Sequence, residues 1–131
     1  MAKTKLRIGS RLDLGQMRDN QEDSLRIYLP EQQVVQEEKG ALFIVADGVG
    51  GHQAGDVASA LATEVLTNAY YASASHNVED ALREAVAAAN THIYQEAQAR
   101  ASQAGMGSTC VVVALRGNHI GVANVGDSRA Y

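Results

Sequence analysis

Apolar and polar positions alternate near the start of the chain, and the alternation predicts strands. Single apolar residues alternate with polar ones across residues 4–12 and 24–29, which predicts two half-buried strands, the second ended by Pro30. The charged residues 31–40 predict an exposed turn. Residues 41–46, ALFIVA, form an unbroken apolar run, which is typical of a strand covered on both faces.

The middle of the chain has apolar residues three and four positions apart. This spacing predicts one helix over residues 54–69 and a second over residues 78–104, where Gly105 ends it. Asn77 or Ser75 could cap the second helix.

The final part predicts a hairpin. Residues 109–115 and 119–126 are two apolar strands, and Gly117-Asn118 between them suits a two-residue turn. Strands, two long helices and strands again predict an α+β fold with both helices on one face of a sheet.

Composition narrows the class of protein. The chain has 131 residues, which suits one domain, and 46% of them are hydrophobic, enough for a core. A net charge of −4 disfavours nucleic acid and anionic membranes as partners. No apolar run could span a bilayer, and the first residues lack the apolar core of a signal peptide. The single Cys110 excludes an internal disulfide and is consistent with a cytoplasmic location.

Acidic residues occur where the predicted strands begin or end. Asp47 follows ALFIVA directly, Glu22 and Asp23 precede the strand at 24–29, and Asp127 follows the last strand. If these ends meet at one rim, the carboxylates repel one another unless a cation lies between them. Mg²⁺ and Mn²⁺ prefer such oxygen ligands, and Gly48 could add its backbone carbonyl.

Taken one at a time, these residues have ordinary explanations. Asp47 and Asp127 each stand in sequences typical of turns. Glu22, Asp23 and Arg18 would each be solvated surface charges. Spacing alone therefore leaves both the metal site and the plain surface open.

Four segments in order, RDNQED, FIVADGVGGHQAGDVAS, MGSTCVVV and ANVGDSRAY, resemble the type-2C metal-dependent serine/threonine protein phosphatases in their bacterial form. The resemblance implies a four-layer α-β-β-α sandwich, in which two antiparallel sheets are flanked by helices. Residues 1–131 would be the N-terminal portion of one such domain, with its C-terminal part absent. It also implies a binuclear Mn²⁺ or Mg²⁺ centre, with a third ion in bacterial members.

The resemblance assigns the metal ligands residue by residue. Asp47 would bridge the two metals, and Gly48 would lend its carbonyl to one of them. Glu22 and Asp23 match the acidic pair that holds this metal, largely through bound waters. Asp127 matches a ligand of the third, weaker ion.

The resemblance also implies the reaction. Arg18 would bind the substrate phosphate while a metal-activated water attacks phosphorus in line. Substrates would be phosphoserine and phosphothreonine proteins, paired with a cognate kinase. His52 is a weaker candidate for a general acid, because the family position for a histidine directly after Asp-Gly is Val49 here.

The family's second half, with its flap region and two further metal-binding aspartates, is not in these 131 residues. We therefore expect the chain alone to hydrolyse phosphoesters poorly or not at all, and to self-associate through open strand edges. Two alternatives stay open: a non-catalytic module that binds phosphoproteins or a partner, and a stress or sporulation regulator phosphatase of the same fold. Mn²⁺ and Mg²⁺ both suit these oxygen ligands.

Overall fold

A computed structural model describes residues 5–13, 22–50 and 54–131. The elements in chain order are β1 (Asp23–Tyr28), α1 (Gln33–Glu38), β2 (Ala41–Val49), α2 (Ala54–Ala72), α3 (Val78–Ala99), a 3-10 helix (Ala101–Gln103), β3 (Gly107–Ser108), β4 (Cys110–Arg116) and β5 (His119–Val125).

The strands form an antiparallel sheet in the order β1-β2-β4-β5, and the short β3 also pairs with β2. The two long helices pack against each other and against this sheet. The predicted α+β class, with both helices on one face, is confirmed. No helix among the described residues is long and apolar enough to cross a membrane.

The core lies between the helices and one face of the sheet. Alanine side chains are buried on both α2 and α3, and larger side chains fill the space next to the strands. The largest fully buried hydrophobic side chains are Leu42, Ile44, Leu66, Tyr70, Leu82 and Val112.

The opposite face of the sheet, the open face, is partly exposed among the described residues, although Val111 on it is buried. On this face Val45 keeps 47% of its surface exposed, Val122 52% and Ile120 61%. The prediction that ALFIVA is covered on both faces is therefore wrong for the part of the chain that the structure describes. Its alternate residues Leu42 and Ile44 pack under the helices, whereas Val45 on the other face keeps nearly half of its surface exposed.

Two other segments differ from the sequence prediction. Residues 5–13 form no strand, because the alternation there meets no partner strand among the described residues, and an unpaired strand is unstable in water. Residues 31–40 contain the short helix α1 rather than only a turn. Gln and Glu favour helix, and Gln33 donates a side-chain hydrogen bond to Glu37 one turn later.

The predicted helix cap and hairpin turn are both present. Asn77 caps α3 by accepting a hydrogen bond from the backbone N–H of Asp80 at 2.9 Å. The helix ends at Ala99, five residues before the predicted end, because Arg100 is extended. Gly117 has a φ of +59°, as the two-residue hairpin turn requires.

Candidate metal-binding site

Two of the predicted metal ligands lie opposite each other in the sheet. The register of β1 and β2 pairs Asp23 with Asp47. Because Asp47 lies two residues after Val45 on β2, both carboxylates belong to the open face and not to the helix-covered face. Directly opposed residues have Cβ atoms about 4.5–5.5 Å apart. The two carboxylates are therefore neighbours.

This pair suits a hard divalent cation. Like charges placed directly across a sheet destabilise it, and a cation between them removes the repulsion. The donors are carboxylate oxygens, which Mg²⁺ and Mn²⁺ prefer. The residues present thus fit the metal that the sequence analysis predicts.

Glu22 and Gly48 meet the start of α2 beside this pair. The backbone N–H of Gly48 donates to the carbonyl of Glu22 at 3.0 Å. A methyl group on Gly48 would lie 1.9 Å from the carbonyl oxygen of Gly55, and one on Gly55 would lie 3.0 Å from Oε1 of Glu22. Glycine at positions 48 and 55 therefore lets the first turn of α2 pack against the end of β2, with the Glu22 carboxylate next to it.

Thr109 holds the backbone of Asp47. The Asp47 N–H donates to Oγ1 of Thr109 at 3.1 Å, and the Thr109 N–H donates to the Asp47 carbonyl at 2.8 Å. The hydroxyl oxygen of Ser108 lies 3.3 Å from the Asp47 carbonyl oxygen. The main chain at Asp47 is thus bonded through its N–H and through its carbonyl.

Asp127 lies in the exposed turn after β5. Its neighbour Ser128 reaches Thr109, with the two hydroxyl oxygens 2.6 Å apart. The described part of the chain has no group of three or more His, Cys, Asp or Glu residues that could hold a metal ion. The structure therefore brings Asp23 and Asp47 together, but it does not add Glu22 or Asp127 to them as a compact cluster.

Arg18 and His52 lie outside the described residues. The predictions that Arg18 binds phosphate and that His52 is a weaker catalytic candidate stay predictions.

The sequence analysis gave no role to three residues that support this site: Gly55, Thr109 and Ser128. All three stand in the segments that carried the family resemblance, GGHQAGDVAS, MGSTCVVV and ANVGDSRAY. The signal was the recurrence of small and hydroxyl residues beside each acidic strand end.

Comparison with known protein families assigns this fold to a class of protein. The protein phosphatase 2C family matches residues 11–131, and the chain belongs to this family.

Individual relatives agree with this assignment. The chain is 34% identical over 125 residues to the serine/threonine phosphatase stp of Listeria innocua, covering 92% of this chain and 47% of that protein. Stp1 from Staphylococcus aureus superposes with a TM-score of 0.75 at 33% identity, over 98% of this chain and 52% of that one. The catalytic domain of the serine/threonine protein phosphatase PstP, solved in complex with two manganese ions, gives a TM-score of 0.72 at 35% identity. That match covers 91% of this chain and 47% of the other.

The chain thus spans about half the length of the relatives that it matches.

Proposed function

We propose that this chain is the N-terminal portion of a Mn²⁺- or Mg²⁺-dependent protein serine/threonine phosphatase domain. The observation that carries the proposal is the pairing of Asp23 with Asp47 on the open face of the sheet. Membership of the protein phosphatase 2C family supports it, as does the two-manganese complex of PstP.

In this proposal, Asp47, Asp23, Glu22 and the backbone carbonyl of Gly48 would hold the two metal ions. Asp127 contributes to a third ion. The bound metals would lower the pKa of a shared water to near neutrality and so supply the nucleophile.

Two further roles in the proposal belong to Arg18 and to the backbone of Asp47. Arg18 would orient the phosphate group through two parallel hydrogen bonds from its guanidinium. The two hydrogen bonds between Thr109 and Asp47 would hold the Asp47 backbone in place opposite Asp23.

The substrates would be phosphoserine and phosphothreonine proteins, since the matched relatives are named serine/threonine phosphatases. A cognate serine/threonine kinase and a cytoplasmic location are further parts of the proposal. Self-association stays a prediction, supported by the exposed apolar residues of the open sheet face, Val45, Ile120 and Val122.

Phosphate release from matched peptides tests this proposal. We expect release from phosphoserine and phosphothreonine peptides that requires Mn²⁺ or Mg²⁺, is slow, and is lost in Asp47→Asn. A phosphotyrosine peptide of the same sequence is the control and should release less. Hydrolysis that persists in EDTA, or that is unchanged in Asp47→Asn, would overturn the proposed mechanism.

A second candidate is a non-catalytic module that binds phosphoproteins or a partner. The observation that favours it is the lack of any three-residue metal cluster within the described residues. Retained binding of the phosphothreonine peptide, without phosphate release under any metal, would select this candidate over the enzyme.

A further inference from the structure

Thr109 interrupts the pairing between β2 and the strands opposite it. On one side Val45 pairs with Val111, and on the other Gly48 pairs with Ser108, so the same register places Thr109 opposite Asp47. In a regular antiparallel ladder, each residue of a hydrogen-bonded pair accepts, through its backbone carbonyl, a hydrogen bond from the N–H of the other. Here the Asp47 N–H donates instead to the side-chain Oγ1 of Thr109.

The Thr109 carbonyl, which would accept from Asp47 in a regular ladder, has another hydrogen-bond partner. The hydroxyl of Ser108 donates to the carbonyl of Thr109 at 2.7 Å. The hydroxyl of Thr109 has thus replaced the Thr109 carbonyl as the acceptor for the Asp47 N–H. A substitution of the Thr109 side chain can therefore remove this hydrogen bond.

The same hydroxyl also reaches the turn that carries Asp127. Oγ1 of Thr109 lies 2.6 Å from Oγ of Ser128. A methyl group on Gly126 would lie 2.8 Å from Cγ2 of Thr109, so the turn also packs against the threonine methyl. Asn124 donates its side-chain amide to the Ser128 carbonyl and holds the turn from β5.

We infer that Thr109 is a positioning residue, whose hydroxyl sets the backbone of Asp47 and couples it to the turn carrying Asp127. The value of this coupling for metal binding rests on the proposed function, whereas the coupling itself does not. Thr109, the threonine of the motif MGSTCVVV, thus links the segments that carry Asp47 and Asp127, which are 80 residues apart in the chain.

The experiment uses the full chain with three single variants and one double variant. Thr109→Val keeps the shape but removes the hydroxyl, Thr109→Ser keeps the hydroxyl but removes the methyl, and Ser128→Ala breaks the link to the turn. The double variant combines Thr109→Val with Ser128→Ala. Amide hydrogen exchange of Asp47, followed by NMR without metal, is the first readout. Exchange at Val112, which is fully buried in β4, reports global opening and is the control.

We expect Thr109→Val to speed exchange at Asp47 by about threefold to tenfold, the range expected for one lost hydrogen bond, with Val112 unchanged. Thr109→Ser should stay within about twofold of the wild type on the same scale. Ser128→Ala should shift the resonances of Asp47, and the double variant should be non-additive. Unchanged exchange in Thr109→Val, or equal loss in Thr109→Ser, would overturn the inference.

The affinity for Mn²⁺ alone, measured by calorimetry, is the second readout. We expect Thr109→Val to bind Mn²⁺ about threefold to tenfold more weakly and Thr109→Ser to recover it. If the wild type binds no Mn²⁺ while exchange at Asp47 still responds to Thr109→Val, the positioning role stands and the proposed metal-dependent function fails. If the wild type binds Mn²⁺ and Thr109→Val changes neither readout, the positioning role fails alone.

Discussion

Gly55, the second residue of α2, lies directly against the carboxyl group of Glu22. A methyl group at position 55 would fall 2.9 Å from the carboxyl carbon of Glu22 and 3.1 Å from the backbone carbon of Gly48. The first turn of α2 therefore touches two of the predicted metal ligands, and the helix that covers the back of the sheet is also part of the candidate site.

The Gly55→Ala substitution should destabilise the chain, although alanine is the better helix former. Replacing glycine by alanine within a helix usually gains about 1 kcal/mol. Here the backbone of Gly48 cannot move aside cheaply, so we expect a net loss of about 1–3 kcal/mol in the free energy of unfolding, measured with urea. Gly9→Ala, where a methyl would meet nothing within 4 Å, is the matched control and should be nearly neutral. A stabilised Gly55→Ala would show that the close approach is not real.

The fully buried Tyr70 ties α2 to the start of β2. Its hydroxyl donates to the carbonyl of Lys39 at 2.6 Å. Tyr70→Phe keeps the ring but leaves this carbonyl without the hydrogen bond, so we expect a loss of about 1–3 kcal/mol. Tyr94→Phe, on an exposed face of α3, is the control and should change stability little. Equal effects of the two substitutions would refute the argument.

The buried thiol of Cys110 should make the stability of the folded chain depend on pH in the alkaline range. Burial raises the pKa of its thiol from 9.0 to about 11. Between these values the folded chain retains a proton that the unfolded chain loses, so this contribution to stability falls as the pH rises from about 9 towards 11.

The urea midpoint at pH 8 and at pH 10, in the wild type and in Cys110→Ala, measures this contribution. Tyrosine and lysine titrate in both proteins, so the difference between their slopes isolates the thiol. The wild type should lose more stability than Cys110→Ala over this range. Parallel slopes would mean that the thiol is not protected by burial.

The opposed carboxylates predict a gain of stability when one is neutralised without metal. Asp47→Asn keeps the size of the side chain and removes one negative charge from the pair with Asp23. We expect the metal-free protein to become more stable by about 0.2–1 kcal/mol, the range for a cross-strand pair. The gain should shrink at high salt, which screens the repulsion. A loss of stability in low salt would contradict the proposed repulsion.

Sequence periodicity was enough to predict the helices and the hairpin, because each of these depends on neighbours a few residues away. The stripe of apolar residues in α3, the Asn77 cap and the Gly117-Asn118 turn are all local features. The strand predicted from the alternation over residues 4–12 is absent from the described part of that segment. A strand also needs a partner strand, and periodicity does not show whether one is there.

The candidate site was predictable only in part. The sequence places Asp23 and Asp47 at strand ends, but their direct opposition depends on the register of β1 against β2, which no local pattern sets. The role of Thr109 was out of reach, because a side chain that replaces a backbone acceptor looks like any other strand threonine in sequence.

Calorimetric titration with Mn²⁺ tests the central claim, that Asp23 and Asp47 share a metal ion, most directly. The wild type, Asp23→Asn, Asp47→Asn and the control Glu37→Gln, an exposed carboxylate on α1, are compared at one pH and salt concentration. We predict that the wild type and Glu37→Gln bind Mn²⁺ equally well, and that each aspartate variant binds at least about tenfold more weakly. A wild type that binds no Mn²⁺, or aspartate variants that bind it as tightly as the control, would contradict the account.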